Sequence, residues 1–140
     1  MNSVDEEMFG SALAKAATVP AHPRDRFVMM YHGTLTYIYG LDIALQAFSL
    51  VQDRLPDTDL WIMGNGPEKA ALEEQAGTLG LGQRVQFIKM VLPQEVPQYL
   101  RQCDIGILPT RGDVFLDLSF SNKLSEYIIM GKAVIASRLK

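Results

Sequence analysis

The sequence predicts an α/β domain: a doubly wound parallel sheet of about five strands, in the order 3-2-1-4-5, with helices on both faces. Three observations lead there. Short apolar runs alternate along the chain with segments whose apolar residues recur at helical spacing. Three of those runs stop at glycine or proline, as strands that lead into turns do. With 140 residues and 48% hydrophobic content, the chain has the size of one domain and can bury a full core.

Phe27 to Gly33 (FVMMYHG) reads as the first strand, and Leu41, Ala44, Leu45, Phe48, Val51 and Leu55 then repeat at helical spacing until Pro56. That pair is a β-α unit. Leu60 to Met63 is a second buried strand, Gly64-Asn65-Gly66 a turn, and Pro67 opens a helix carrying Ala71, Leu72, Gln75, Ala76 and Leu79 before Gly80. Val85 to Ile88 reads as a third strand and Pro93 to Gln102 as a helix with Val96, Tyr99 and Leu100 on one side. Asp104 to Leu108 is a fourth strand stopped by Pro109. Thr110 to Phe120 lacks periodicity and reads as a loop. A helix over Asn122 to Met130 and a strand over Ala133 to Ala136 complete the series. Parallel strands need crossover connections, and those are right-handed, so the alternation places helices on both faces. Ligands of such sheets bind at the carboxyl ends of the strands, near the point where strand order reverses. The segments at that edge are Gly33-Thr34, Gly64-Asn65-Gly66, Lys89-Met90 and Thr110-Arg111-Gly112.

Composition narrows the classes of function. A net charge of −3, from 13 basic and 16 acidic residues, gives no electrostatic case for nucleic acid or an anionic membrane surface. Any anion site must be local. Cys103 is the only cysteine, which excludes an internal disulfide and a cysteine-based metal cluster; it is expected as a small buried hydrophobe. The start, MNSVDEEMFG, carries acids where a secretory signal would be basic and then apolar, and no stretch approaches the ~18 apolar residues of a membrane span. The expectation is a soluble, cytoplasmic protein.

The segment Ser119 to Ser137 (SFSNKLSEYIIMGKAVIAS) carries the most chemistry. It sets Lys123 and Glu126 on the first turn of a helix that Ser121 or Asn122 can cap. The exposed N–H groups and dipole of a helix start favour an anion. Glu126, three residues after Lys123 on the same face, can accept hydrogen bonds from sugar hydroxyls, so the pair suits a phosphorylated sugar. The plainer reading is an i, i+3 ion pair on an amphipathic helix. Gly64-Asn65-Gly66-Pro67-Glu68 resembles a glycine-rich phosphate loop but follows the second strand and lacks a third glycine; a tight strand-to-helix turn is the favoured reading. No Walker lysine follows it. His32 reads as a strand-end packing residue and His22 as a loop residue, and neither has the neighbours for a metal site. Arg111 lies in a loop at the binding edge, where its guanidinium can grip a phosphate or stay solvated.

Taken together, these segments resemble the C-terminal, donor-binding domain of retaining nucleotide-sugar glycosyltransferases, which pair two Rossmann-like domains in the GT-B architecture. The resemblance spans nearly the whole chain. It rests on Asn2-Ser3-Val4-Asp5 with Phe9, Gly33 to Asp42, Gly64-Asn65-Gly66-Pro67, Arg84 to Phe87, Asp104 to Pro109, and Lys123-Leu124-Ser125-Glu126-Tyr127 through Ala136, in family order and spacing. It implies residues 1–140 as one nucleotide-sugar-binding domain, with 1–26 leading in from an absent N-terminal domain. It also implies that the domain continues past Lys140. The implied enzyme is a hexosyltransferase that needs no metal or cofactor. Lys123 and Arg111 would stabilise the departing diphosphate, and Gly33 and Thr34 would let it approach. Gly64, Asn65, Asp117, Ser121, Asn122 and Leu124 would line the donor site, Glu126 would hold the ribose, and Lys89, Met90 and Val91 would meet the base. The acceptor would be held by the absent domain, so the fragment alone is expected to bind donor weakly and transfer little or no sugar.

Two departures matter. The family's usual signature has two glutamates eight positions apart; the second is Glu126, but position 118 is Leu, so a sugar contact falls to Asp117 or another group. Phe120 matches the aromatic within that signature. The family's usual diphosphate clamp, an Arg and a Lys near the first strand, is here Thr34 and Tyr39. Losing two charge-assisted hydrogen bonds, each worth roughly 1.5 to 3 kcal/mol, would be serious unless Lys123 and Arg111 replace them. Another class, a non-catalytic nucleotide-binding or scaffold module, stays open. A receiver domain is opposed by His32-Gly33 and Lys89-Met90 where acids are needed, and an NAD-dependent oxidoreductase by the missing glycine fingerprint after strand one.

Overall fold

The computed structural model describes residues 7, 10, 11, 25–112 and 121–138. Asp117, Leu118, Phe120, His22 and the Asn2 to Asp5 segment lie outside these. The chain forms β1 (Phe27–His32), α1 (Leu41–Val51), β2 (Thr58–Met63), α2 (Lys69–Thr78), β3 (Val85–Ile88), α3 (Val96–Gln102), β4 (Ile105–Leu108), α4 (Asn122–Ile129) and β5 (Ala133–Ala136). The strands make one parallel sheet in the order β3-β2-β1-β4-β5, as the sequence predicts.

Side chains alternate across the sheet and feed two cores. Tyr31, Leu60, Ile62, Val85 and Ile107 meet Leu41, Leu45 and Phe48 of α1 and Leu72 and Ala76 of α2 on one face. Val28, Met30, Trp61, Met63 and Leu108 meet Leu100 and Cys103 around α3, and Tyr127 of α4, on the other. Leu41, Leu45 and Phe48 recur at i, i+4 and i+7, which is why α1 lies along its face. Cys103 is 1% exposed, the small buried hydrophobe expected of it, and burial pushes its thiol up to about 11.

Three helix boundaries differ from expectation by more than one residue. The α-helix after β1 stops at Val51 and runs on only as a 3-10 turn, Gln52–Arg54. The helix expected from Pro67 starts at Lys69. That expected from Pro93 is split into a 3-10 turn, Pro93–Glu95, and α3, in whose first turn Pro97 sits. Proline lacks an N–H and fits a first turn, where none is needed, so each proline opens its own short element.

The two edges of the sheet use polar groups differently. At the amino edge Arg26 grips both Asp59 oxygens, and Arg84 donates to the carbonyls of Gln52, Leu55 and Thr58. At the carboxyl edge the backbone ladder runs on into the loops: Gly33 N donates to Met63 O at 2.9 Å, Gly64 N to Ile88 O at 3.0 Å, and Leu35 N to Asn65 O at 2.9 Å. The two glycine loops therefore lie side by side.

Tyr127 seats α4. It is fully buried, its Oη donates to Met30 O at 2.6 Å, and its ring covers Gly106 of β4, where a Cβ would run into it. That close approach puts the first turn of α4 over the end of β1. No helix among the described residues is long and apolar enough to cross a membrane.

Candidate functional site

A cavity of about 230 Å³ opens at the carboxyl edge, lined by His32 and Gly33 after β1, Met63 and Gly64 after β2, Met90, Val91, Pro93 and Val96 after β3, and Glu126 of α4. It lies over the carboxyl ends of β1, β2 and β3, with Glu126 of α4 beside them, at the edge where a doubly wound fold binds ligands. One wall is apolar, from Met90 to Val96. The other carries Glu126; Lys123 lies beside Gly33, outside that lining.

Lys123 is held by aromatic rings. Its Nζ lies 4.0 Å from the Tyr39 ring centroid and 5.7 Å from that of Tyr31, a cation–π cradle. Its stem crosses Gly33, where a Cβ would collide with it, and Gly33 has φ +133°, so the site needs glycine for both space and backbone. Burial lowers the lysine's pKa and raises that of Glu126; each effect is partly offset by the charge of the other residue. No ion pair joins the two among the described residues, so the plain i, i+3 salt bridge is not what this turn forms. Two half-buried charges left apart in one turn are what an anionic, hydroxylated ligand needs. Ser121 takes the cap position of α4 with extended backbone, and its side chain makes no capping hydrogen bond.

Several expected residues have other work. Arg111, expected as a second cation for the diphosphate, does not line the cavity. Its guanidinium is engaged bidentately by Asp42 at 2.8 and 2.6 Å, donates to Tyr37 O at 2.7 Å and stacks 3.9 Å from the Tyr37 ring centroid. The bond from Arg111 holds the Asp42 carboxyl below its usual range. The pair straps the 37–42 segment to the end of β4. Arg111→Ala is therefore expected to lower the melting temperature modestly while weakening nucleotide binding less than Lys123→Ala does, readable by thermal melts and titration calorimetry. Leu124, expected to contact donor, packs on the second core, and its N–H is taken by Ser121 O. Asn65 shapes its own loop, its Oδ1 accepting from Gly66 N at 2.9 Å. Thr34 is exposed beside Gly33, and its carbonyl accepts from Tyr31 Oη at 2.7 Å. Met90 and Val91, expected to meet the base, line the cavity, whereas Lys89 is exposed and Asn122 half-buried outside that lining.

The sequence reading missed the Tyr31–Tyr39 cradle and the place of His32 in the cavity wall. The signal for His32 was its position: the last residue of β1, directly before the glycine at the binding edge.

Residues 26–140 match the family described as Glycosyl transferases group 1. Phosphatidyl-myo-inositol mannosyltransferase of Mycobacterium tuberculosis is 30% identical over 139 residues, 99% of this chain and 34% of its own. A GDP-mannose-dependent α-(1-6)-phosphatidylinositol monomannoside mannosyltransferase of Mycolicibacterium smegmatis is 31% identical over 87 residues, 62% of this chain and 23% of its own. The chain thus spans about a third or less of these relatives. Among solved structures, the C-terminal domain of the group 1 transferase LpcC from Francisella tularensis superposes with TM-score 0.70 at 20% identity, over 96% of this chain and 70% of that one. Anabaena HepE, solved with UDP and glucose, superposes with TM-score 0.68 at 19% identity, over 96% of this chain and 34% of that one. The fold is that of the C-terminal domain of a GT-B glycosyltransferase. The chain belongs to the Glycosyl transferases group 1 family.

Proposed function

We propose that this domain binds a nucleoside-diphosphate sugar for transfer of the glycosyl group to an acceptor held by a second, N-terminal domain. The observation that carries the reading is the pairing of Lys123 and Glu126, unjoined and half-buried at the carboxyl edge, with Lys123 over Gly33 and Glu126 in one cavity wall with Gly33 and Gly64. The diphosphate lies along Gly33, Thr34 and the amino end of α4, where Lys123 and the Ser121 and Asn122 backbone meet it. Glu126 accepts from the ribose hydroxyls. The base rests against Met90, Val91, Pro93 and Val96.

The chemistry follows from charge. As the glycosidic bond to the diphosphate breaks, negative charge grows on the leaving phosphate while the anomeric carbon becomes cationic. Lys123 is costly to keep charged where it is, because burial disfavours its ammonium; a dianionic leaving group offsets that cost most when its charge is greatest. The reading gives this charge compensation to Lys123 and the α4 amino end rather than to a metal ion. A GDP-mannose-dependent relative and a neighbour solved with UDP share the nucleoside diphosphate, which is the element the proposal rests on. The test is to titrate UDP, GDP and ADP and their sugars against the chain, Lys123→Ala and Glu126→Gln. Binding of at least one diphosphate, weakened in both variants, is expected. No response to any of them favours a scaffold role instead.

A further inference from the structure

His32 ends β1 with 6% of its surface exposed, in the wall of the cavity. Its ring stands edge-on to Tyr127, with centroids 5.2 Å apart and planes at 69°. Tyr127 is itself fixed to Met30 O and packed on Gly106, so the imidazole is held against a rigid surface. Its Nε2 lies 3.1 Å from Glu126 Oε2 yet out of line for a hydrogen bond, and it makes none. A buried polar nitrogen without a partner carries a cost that strand-end packing does not repay. Burial, and after it the charge of Lys123, brings the imidazole pKa down to about 4. At neutral pH the ring is uncharged, with a single N–H to give.

Glu126 faces two pulls. Lys123, one turn earlier on the same helix, favours the ionised carboxylate, and closing onto that ammonium would cancel both charges that a ligand needs. His32 approaches from the strand. We propose that His32 is a positioning residue for Glu126: it carries its proton on Nε2 and donates to Glu126 Oε2 when a ligand draws that carboxylate into line, leaving Oε1 to accept from the ligand's hydroxyls. This rests on the reading of Glu126 as a sugar-hydroxyl acceptor. Nothing in the alignment of His32 with Glu126 depends on which base or sugar is bound. The step needed is small, because the two atoms already lie within hydrogen-bond distance.

The test uses the 140-residue chain labelled with ¹⁵N-histidine, in which the only other histidine is His22. Long-range ¹H–¹⁵N spectra are expected to show His32 protonated on Nε2, with that resonance shifting on Glu126→Gln and on addition of UDP, GDP or ADP. Protonation on Nδ1 in both free and nucleotide-saturated chain overturns the proposal. In calorimetry His32→Leu is expected to weaken the tightest of the three nucleotides by about tenfold. His32→Gln, which keeps a donor near the Nε2 position, should recover most of that loss. In a Glu126→Gln background His32→Leu should have no further effect; an equal loss in both backgrounds means a packing role and overturns the proposal. Should His32→Leu fail to fold, His32→Gln and the spectra of the parent chain decide. Should none of the nucleotides bind, the nucleotide reading fails, while the tautomer of the free chain and its response to Glu126→Gln still decide whether His32 positions Glu126.

Discussion

Lys123→Met lowers the affinity for a nucleoside diphosphate by roughly ten- to a hundredfold, the value of one charge-assisted hydrogen bond of about 1.5 to 3 kcal/mol. Methionine keeps an apolar stem over Gly33 and between Tyr31 and Tyr39, so the loss reads charge rather than packing. Stability should move the other way or not at all. Burial lowers the folded pKa of Lys123, so the folded state resists its charge. That penalty is fully present below the folded pKa and fades as pH rises from there toward the unfolded value. A variant that melts no lower than the parent but binds diphosphate poorly is the signature of a charge kept for function. Equal binding by parent and Lys123→Met, measured calorimetrically at low salt, would show that the diphosphate is held elsewhere.

Gly64→Ala is expected to cost about 2 to 4 kcal/mol of stability and to abolish nucleotide binding in whatever fraction folds. Gly64 has φ +153°, and a Cβ there would overlap the backbone carbonyl of Gly33. Neither partner can yield cheaply, because both loops are pinned by the ladder bonds from Gly33 to Met63 and from Gly64 to Ile88. Relief would have to come from moving the Gly33 loop, which is the floor under Lys123. Gly77→Ala is the control: it sits in α2 with open space around it, and the helix should gain about 0.5 to 1 kcal/mol. Chemical denaturation of the two variants should therefore shift in opposite directions.

The sheet was legible because each strand is a short apolar run and the turns carry glycine or proline, so Val85–Ile88 and Ala133–Ala136 appear where the runs do. Helix ends were less legible, since Pro93 and Pro97 each open a turn and only the folded chain shows which turn continues. At the site, Lys123 and Glu126 were readable as neighbours on one helix, a local relation. The contacts that give them meaning are not local. Tyr39 lies where the family resemblance leads one to expect a lysine, and the structure brings the Lys123 ammonium onto its ring from the far end of the chain. The engagement of Arg111 was illegible for the same reason: its partner, Asp42, is 69 residues away, and a loop arginine gives no local sign of being occupied. His32 read as packing because a lone histidine at a strand end has no pattern, whereas its unpaired Nε2 facing Glu126 exists only in three dimensions.

The proposed placement of a nucleoside diphosphate is across the Gly33 and Gly64 loops with its charge at the start of α4. The most direct measurement is a backbone amide NMR titration of the chain with UDP, GDP and ADP in parallel with the corresponding nucleosides. Saturable shifts are expected at Gly33, Thr34, Gly64 and Ser121 to Leu124 with a diphosphate, much smaller there with the nucleoside, and shifts at Met90 and Val91 with both. Shifts confined to the amino edge around Arg26, Arg84 and Gln86, or no difference between diphosphate and nucleoside, would contradict it.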